Sequence, residues 1–161
     1  MEKIPPYKKI LILLDIRSSH NVGSLFRTAD AIGVQKIYLI GTTPDPIDRF
    51  GRPNPDIAKT ALGAEQTIPY EYYKTFVEVF ALLQKEHVAI VGLEQYKDSV
   101  DYKQYVVQND TALIVGNEVD GILESVLEKI DATIEIPMRG EKESLNVSVA
   151  GGIALFRIFD N

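Results

Sequence analysis

No cysteine occurs in the chain, which excludes disulfide frameworks, thiolate zinc sites and cysteine nucleophiles together. No apolar run reaches the roughly 18–20 residues that a membrane-spanning helix needs. The first residues, Met1 to Tyr7, carry charge and prolines where a secretory leader would carry an apolar core. No Gly-x-Gly-x-x-Gly fingerprint follows an expected strand, which argues against a nicotinamide-dependent oxidoreductase. Positive charge is also scarce, with 17 Lys and Arg against 23 Asp and Glu and a net charge of −6. These absences lead to the expectation of a cytoplasmic protein that uses neither metal nor membrane. The 161 residues, 45% of them hydrophobic, suit a single domain over residues 1–161 that buries a core unaided.

The acidic average hides an asymmetry. Residues 1–60 carry nine Lys or Arg (Lys3, Lys8, Lys9, Arg17, Arg27, Lys36, Arg49, Arg52, Lys59) against six Asp or Glu. The remainder carries eight against seventeen. Phosphate binding needs an electropositive surface, so a polyanion can dock only on the N-terminal part.

Strand and helix patterns alternate along the chain. Lys9-Ile10-Leu11-Ile12-Leu13-Leu14 reads as a continuous apolar strand ending in Asp15, the pattern of a strand covered on both faces. A helix is expected from Asn21 to Ile32, because Val22, Leu25, Phe26, Ala29 and Ile32 fall on one stripe. Lys36 to Gly41 is the next strand, followed by a Pro-, Asp- and Thr-rich loop from Thr42 to Pro55. A short helix is expected over Asp56–Leu62, a short strand over Gln66–Pro69 and an amphipathic helix over Phe76–Glu86. Strands follow at Val88–Leu93, Thr111–Val115 and Ala132–Ile136, with helices at Ile122–Lys129 and Asn146–Phe159. This rhythm predicts an α/β fold, a mostly parallel sheet with helices on both faces.

Ligands of open α/β sheets sit beyond the carboxyl ends of strands, and three such ends are polar and glycine-rich. The first runs from Asp15 to Arg27; Ser19 or Asn21 is positioned to cap the helix, and Arg27 lies about 140° from Val22, off the apolar stripe. The second, Gly116-Asn117-Glu118-Val119-Asp120-Gly121, lacks the Lys-Ser/Thr pair of a phosphate loop. Its carboxylates suit a cationic or hydroxyl-bearing ligand. The third runs from Ile136 to Gly152 and opens a helix that is apolar on all sides, with Gly151 and Gly152 at its waist. Helix-interior glycines cost roughly 0.8–1 kcal/mol each relative to alanine, so a close approach of another element is expected there. A helix apolar all round must be covered all round, and a second subunit is one cover.

In order, these three segments resemble the three motifs of the SpoU (TrmH-like) family, in the SPOUT superfamily of RNA methyltransferases. Motif 1 is Asn21-x-Gly23-x-x-x-Arg27 followed by Thr28-Ala29. Motif 2 is Ile114-Val115-Gly116-Asn117-Glu118-x-x-Gly121. Motif 3 is Ile136-Pro137-Met138-x-Gly140 with Ser144-Leu145-Asn146-Val147-Ser148-x-Ala150. The resemblance implies an α/β-knot, in which the C-terminal segment threads through a loop to form the cofactor pocket. It implies S-adenosyl-L-methionine as cofactor, a homodimer with the active site at its interface, and methylation of a ribose 2′-hydroxyl of RNA. Cofactor contacts would come from Leu93, Gly116, Ile136, Ser144 and Leu145, with Asn146 close by. Catalytic roles would fall to Arg27 and Asn21, supported by Glu118, Ser144 and Asn146.

A ribose hydroxyl is a poor nucleophile that needs a partner for its proton. A guanidinium stays protonated in proteins, so Arg27 is expected to pin the adjacent phosphate and stabilise the developing oxyanion rather than act as a base. Glu118 then either holds Arg27 or receives the proton through water. Many family members carry a separate RNA-binding domain, and none is expected here. RNA contacts are therefore expected from the dimer face and from Arg17, Arg49, Phe50, Arg52 and Lys59, with Phe50 either stacking on a base or anchoring its loop. Transfer RNA is the preferred substrate for so short a chain, and ribosomal RNA the alternative. A non-catalytic RNA-binding factor with the same fold is the rival of a different class.

Overall fold

The computed structural model describes residues 7–160. In chain order the elements are β1 (Lys9–Leu14), α1 (Ser19–Ile32), β2 (Lys36–Ile40), α2 (Pro55–Ala61), α3 (Ala64–Thr67), β3 (Tyr70–Tyr73) and α4 (Phe76–Lys85). They continue with β4 (Ala89–Leu93), β5 (Val100–Asp101), β6 (Thr111–Val115), α5 (Glu124–Leu127), β7 (Ala132–Glu135) and α6 (Val147–Phe159). The strands form one sheet in the order β3-β2-β1-β6-β4-β7-β5, and every pairing is parallel.

The continuous apolar run of β1 feeds two cores. Leu11 and Leu13 point to the face where Val22, Leu25, Phe26 and Ala29 of α1 meet Ile57 of α2 and Leu155 and Ile158 of α6. Ile10, Ile12 and Leu14 point to the other face, against Phe76, Val79 and Leu83 of α4 and Val126 and Leu127 of α5. Alternating side chains thus bury both faces of the sheet, as the apolar run from Ile10 to Leu14 requires. Lys9 is buried as well, and its ammonium donates to the Ile32 carbonyl at 2.9 Å, a cation at the carboxyl end of α1.

Most expected elements appear within two residues of their expected ends, with three differences. The expected strand at Gln66–Pro69 is instead the helical turn α3, with the strand starting at Tyr70. Pro69 has no N–H for the ladder and contributes only its carbonyl, to Ile37 N at 3.0 Å. The helix expected over Ile122–Lys129 shortens to the single turn α5, because Leu123 is extended at φ −60° and ψ 144° and starts the helix only after it. The cap of α1 is Ser18 rather than Ser19 or Asn21, its side chain accepting from Asn21 N at 3.2 Å. Asn146 caps α6 through Ser148 N and Val149 N.

Motif glycines are spent on close packing. A Cβ at Gly23 would meet the Thr60 hydroxyl and the Ile57 carbonyl, so the glycine lets α2 lie against α1. A Cβ at Gly151 would stand 2.7 Å from Leu25 Cδ2. The close neighbour expected at the waist of α6 is therefore α1 of the same chain.

Candidate active site

Because the sheet is parallel, the carboxyl ends of β4, β6 and β7 share one edge, and the loops leaving them wall a cavity of about 500 Å³. Leu93, Gly116, Ile136, Ser144 and Leu145 all line it. The lining is apolar at Val115, Ile122, Leu127 and Ala150 and acidic at Glu94, Glu118, Asp120, Glu124 and Glu135, and it includes no Lys or Arg. The loop after β6 is held by its own side chains. Asn117 Oδ1 accepts from Val119 N and Asp120 N, both at 2.9 Å, and Asn117 Nδ2 donates to the Asp15 carbonyl at 2.8 Å. Glu94 takes Gln95 N at 2.8 Å and Ile122 N at 2.9 Å. Gly116 closes this turn: a Cβ there would lie 2.6 Å from the carbonyl carbon and oxygen of Gly121.

A hydrogen-bond relay joins the three motifs. The Glu118 carboxylate accepts from Arg17 N at 3.0 Å, Ser18 N at 3.0 Å and the Asn21 side-chain amide at 3.1 Å. Asn21 Oδ1 in turn accepts from Asn146 Nδ2 at 3.2 Å, and Asn146 Oδ1 caps α6. A carboxylate only accepts, so it sets the orientation of Asn21, which sets that of Asn146. Burial pushes the Glu118 carboxyl up, but the N–H groups of Arg17 and Ser18 and the Asn21 amide outweigh it and hold the group below the usual glutamate range. Asn146 sits in this relay and does not line the cavity.

Arg27 stands apart. It is exposed on α1, roughly 9 Å further along the axis than Asn21. It lines a shallow cleft with Ser24, Thr28, Ala31, Lys59, Thr60 and Phe156. Among the described residues Arg27 has no hydrogen-bonded or ion-paired partner, so the expected contact from Glu118 to Arg27 is not made; Glu118 serves the start of α1 instead. The face of α6 beside the cleft is uncovered within the chain. Val149, Ile153 and Phe156, spaced as one helical stripe, remain 51%, 37% and 43% exposed. The opposite face, with Ala154, Leu155 and Ile158, is buried.

The residues expected to meet RNA are divided. Arg17 gives its backbone N–H to Glu118, and Lys59 joins the Arg27 cleft. Arg49, Phe50 and Arg52 cluster at the tip of a hairpin closed by the Ile47–Pro53 bridge. Among the described residues no group of three His, Cys, Asp or Glu is arranged to hold a metal ion, and no helix is long and apolar enough to cross a membrane. Sequence reasoning missed Glu94, which both lines the cavity and fixes the loop after Gly121. Its signal was its position, one residue beyond the carboxyl end of a strand. It also missed Asn54, which caps α2 and donates to Ser19 Oγ at 3.1 Å.

Comparison with known proteins agrees with this geometry. The SpoU rRNA Methylase family matches residues 8–156. A 23S rRNA (guanosine-2'-O-)-methyltransferase from Escherichia coli is 36% identical over 147 residues, 91% of this chain and 58% of that protein. The chain thus spans little more than half the length of this curated relative. An AdoMet-bound rRNA methyltransferase from Sinorhizobium meliloti superposes with a TM-score of 0.82 at 30% identity, covering 95% of this chain and 56% of that one. A TrmH/SpoU tRNA modifying enzyme from A. aeolicus gives a TM-score of 0.79 at 29% identity, covering 93% and 73%. An all-parallel sheet, three motifs gathered at one sheet edge and a family match over nearly the whole length lead to one conclusion: the chain belongs to the SpoU rRNA Methylase family.

Proposed function

We propose that this protein transfers a methyl group from S-adenosyl-L-methionine to a ribose 2′-hydroxyl of RNA, and that ribosomal RNA is the substrate. The observation that carries this reading is the acidic, loop-walled cavity joined through Glu118 and Asn21 to the helix that bears Arg27. The residues present fit the cofactor. About 500 Å³ falls within the usual range for small-molecule sites. Apolar side chains offer a bed for a purine, and carboxylates without an opposing Lys or Arg favour a cationic ligand. When bound, the cofactor supplies an electrophilic methyl group on a positively charged sulfur.

The remaining roles belong to the chain. Leu93, Gly116, Ile136, Ser144 and Leu145 hold the cofactor, and Asn146 fixes the start of α6 beside them. Asn21, oriented by Glu118 and Asn146, positions the acceptor ribose. Glu118 stays ionised and bonded to three N–H groups, which suits holding rather than accepting a proton. Arg27, unpaired and exposed, is available to a phosphate and to charge developing on the 2′-oxygen. A second copy of the chain covering Val149, Ile153 and Phe156 would complete the open side of the Arg27 cleft. The preference for transfer RNA rested on chain length alone. The 36% identical relative is a 23S rRNA enzyme and the tRNA enzyme is 29% identical, which supports ribosomal RNA instead.

Calorimetry should show cofactor binding, and labelled methyl should appear as 2′-O-methylnucleoside in ribosomal RNA rather than in transfer RNA. Saturating cofactor that gives neither heat nor a rise in melting temperature overturns the reading. Arg27→Ala should lower single-turnover methylation by about 10²-fold or more with cofactor affinity unchanged. Arg27→Lys should recover little, because an ammonium lacks the planar two-point contact. Activity of Arg27→Ala within about threefold of the parent would remove Arg27 from the mechanism.

A further inference from the structure

The loop between β2 and α2 is a built hairpin. Asp48 N donates to the Arg52 carbonyl at 2.8 Å, and Gly51, at φ 77°, returns its N–H to the Asp48 carbonyl at 2.9 Å. The Asp48 carboxylate braces the tip from inside, taking Phe50 N at 2.8 Å, Arg52 N at 2.9 Å and Arg52 Nε at 2.8 Å. On this stiff turn the Phe50 ring is 67% exposed. Two guanidiniums flank it, with Arg49 at 4.7 Å and Arg52 at 5.0 Å from the ring centroid. Among the described residues Arg49 has no hydrogen-bonded or ion-paired partner. The phenyl ring therefore does not anchor the loop; Asp48 does.

The hairpin is also tied to the site. Asn54 at its base caps α2 with Oδ1 and donates Nδ2 to Ser19 Oγ at 3.1 Å. Ser19 follows Ser18, whose N–H is held by Glu118. The platform is thus anchored to the same end of α1 as the motif relay.

We propose that this hairpin is a preformed clamp for one unpaired nucleotide of the RNA substrate, with Phe50 as the stacking platform and Arg49 as its phosphate contact. The proposal rests on the methyltransferase reading. An exposed aromatic face is matched by a nucleobase face, and bases inside a duplex have none free, so the ligand is single-stranded. A base stacking on the ring takes the place of the Arg49 guanidinium, which turns to the neighbouring phosphate while Arg52 stays on Asp48. Asp48 is already committed to the turn and to Arg52, which leaves Arg49 as net positive charge at the tip. Together these features favour RNA over an apolar protein partner.

The chain contains no tryptophan, so Phe50→Trp places a single tryptophan on the platform, excitable selectively beside the tyrosines. Oligoadenylate should quench its emission on binding, and a blunt RNA duplex at equal phosphate concentration should not. Phe50→Ala should weaken oligoadenylate binding about 10-fold, the scale of losing one stacked base, while Phe50→Trp binds as the parent does. Failure of the parent to bind oligoadenylate, or parent-like binding by Phe50→Ala with no quenching in Phe50→Trp, overturns the clamp. Calorimetry with S-adenosyl-L-methionine on the same variants separates the two readings. Absent cofactor binding removes the methyltransferase assignment, whereas intact cofactor binding with unchanged RNA binding in Phe50→Ala removes only the clamp.

Discussion

The cavity beyond β4, β6 and β7 and the Arg27 cleft lie along the same helix, α6, and are built in opposite ways. Around the cavity, backbone N–H groups of the loop after β6 are claimed by Asn117 and Glu94, and those of the loop after β1 by Glu118, so its shape is set before any ligand arrives. Around the cleft, Arg27 and Lys59 are exposed and one wall ends in the uncovered Phe156. One region is acidic and complete within the chain; the other is basic and open. On the proposed function, cofactor recognition falls to the single chain and substrate recognition to whatever closes the cleft. Helix α6 lines both, with Val147 and Ala150 in the cavity and Phe156 in the cleft, and α1 links them, its first turn held by Glu118 and its body bearing Arg27.

The largest effect should come from breaking the preset side. Gly116→Ala puts a methyl 2.6 Å from the Gly121 carbonyl group, and backbone cannot step aside as a flexible side chain can. The turn must open, at about 1–3 kcal/mol of stability, and calorimetry should detect no cofactor binding. Gly140→Ala is the matched control in motif 3, since nothing lies within 4 Å of a Cβ there. Its melting temperature and cofactor affinity should match the parent. Equal losses in both would mean that the cavity owes nothing to the tight turn.

A smaller effect tests the open side. Val149→Asp introduces a charge on the exposed stripe of α6 without lining the cavity. The position is in the first turn of the helix, where a carboxylate is favourable by about 0.3–1 kcal/mol, so the fold should be kept. If a second copy covers this face, burying an unpaired carboxylate should raise the dimer dissociation constant about 100-fold, and methylation should fall while cofactor affinity holds. Light scattering checks the first and calorimetry the last. A parent that is monomeric at micromolar concentration yet fully active would show that the cleft needs no second copy.

The sequence made the preset region more legible than the open one. Leu11 and Leu13 against Ile10, Ile12 and Leu14 announced a strand buried on both faces, and the stripe from Val22 to Ile32 announced the helix packed on it. Short or irregular pieces carry no such signal: β5 has two residues, and the Tyr-rich β3 was displaced by Pro69. Periodicity placed Gly151 in a helix but could not say which element it meets, since Leu25 is distant in sequence. The knot that family membership implies is likewise beyond any local pattern, because threading leaves no mark on periodicity. Arg27 was recognised through its motif, whereas the partners of Glu118 needed three-dimensional geometry: Arg17 and Ser18 offer backbone groups, which no side-chain pattern records.

Glu118 offers the finest division of the two regions, because it tests what passes between them. Glu118→Gln keeps the shape but replaces one accepting oxygen with a donor, facing N–H groups from Arg17 and Ser18 and the Asn21 amide. Loss of these charge-assisted bonds should cost about 1–3 kcal/mol near neutral pH. Because the folded carboxyl is held below its unfolded value, its contribution is full above the ordinary glutamate range. It fades as the pH falls from that range through the lower folded value. The stability gap between parent and variant, measured by urea denaturation across a pH series, should therefore be widest near neutrality and shrink in mild acid. A gap constant with pH would mean that Glu118 acts through shape and not charge. Turnover adds the decisive contrast. A holding role predicts that Glu118→Gln loses stability and about tenfold in rate as Asn21 is freed, without abolishing methylation. A proton-accepting role predicts the reverse, a stable protein that transfers almost no methyl, and that result would move Glu118 from the framework of the site into its chemistry.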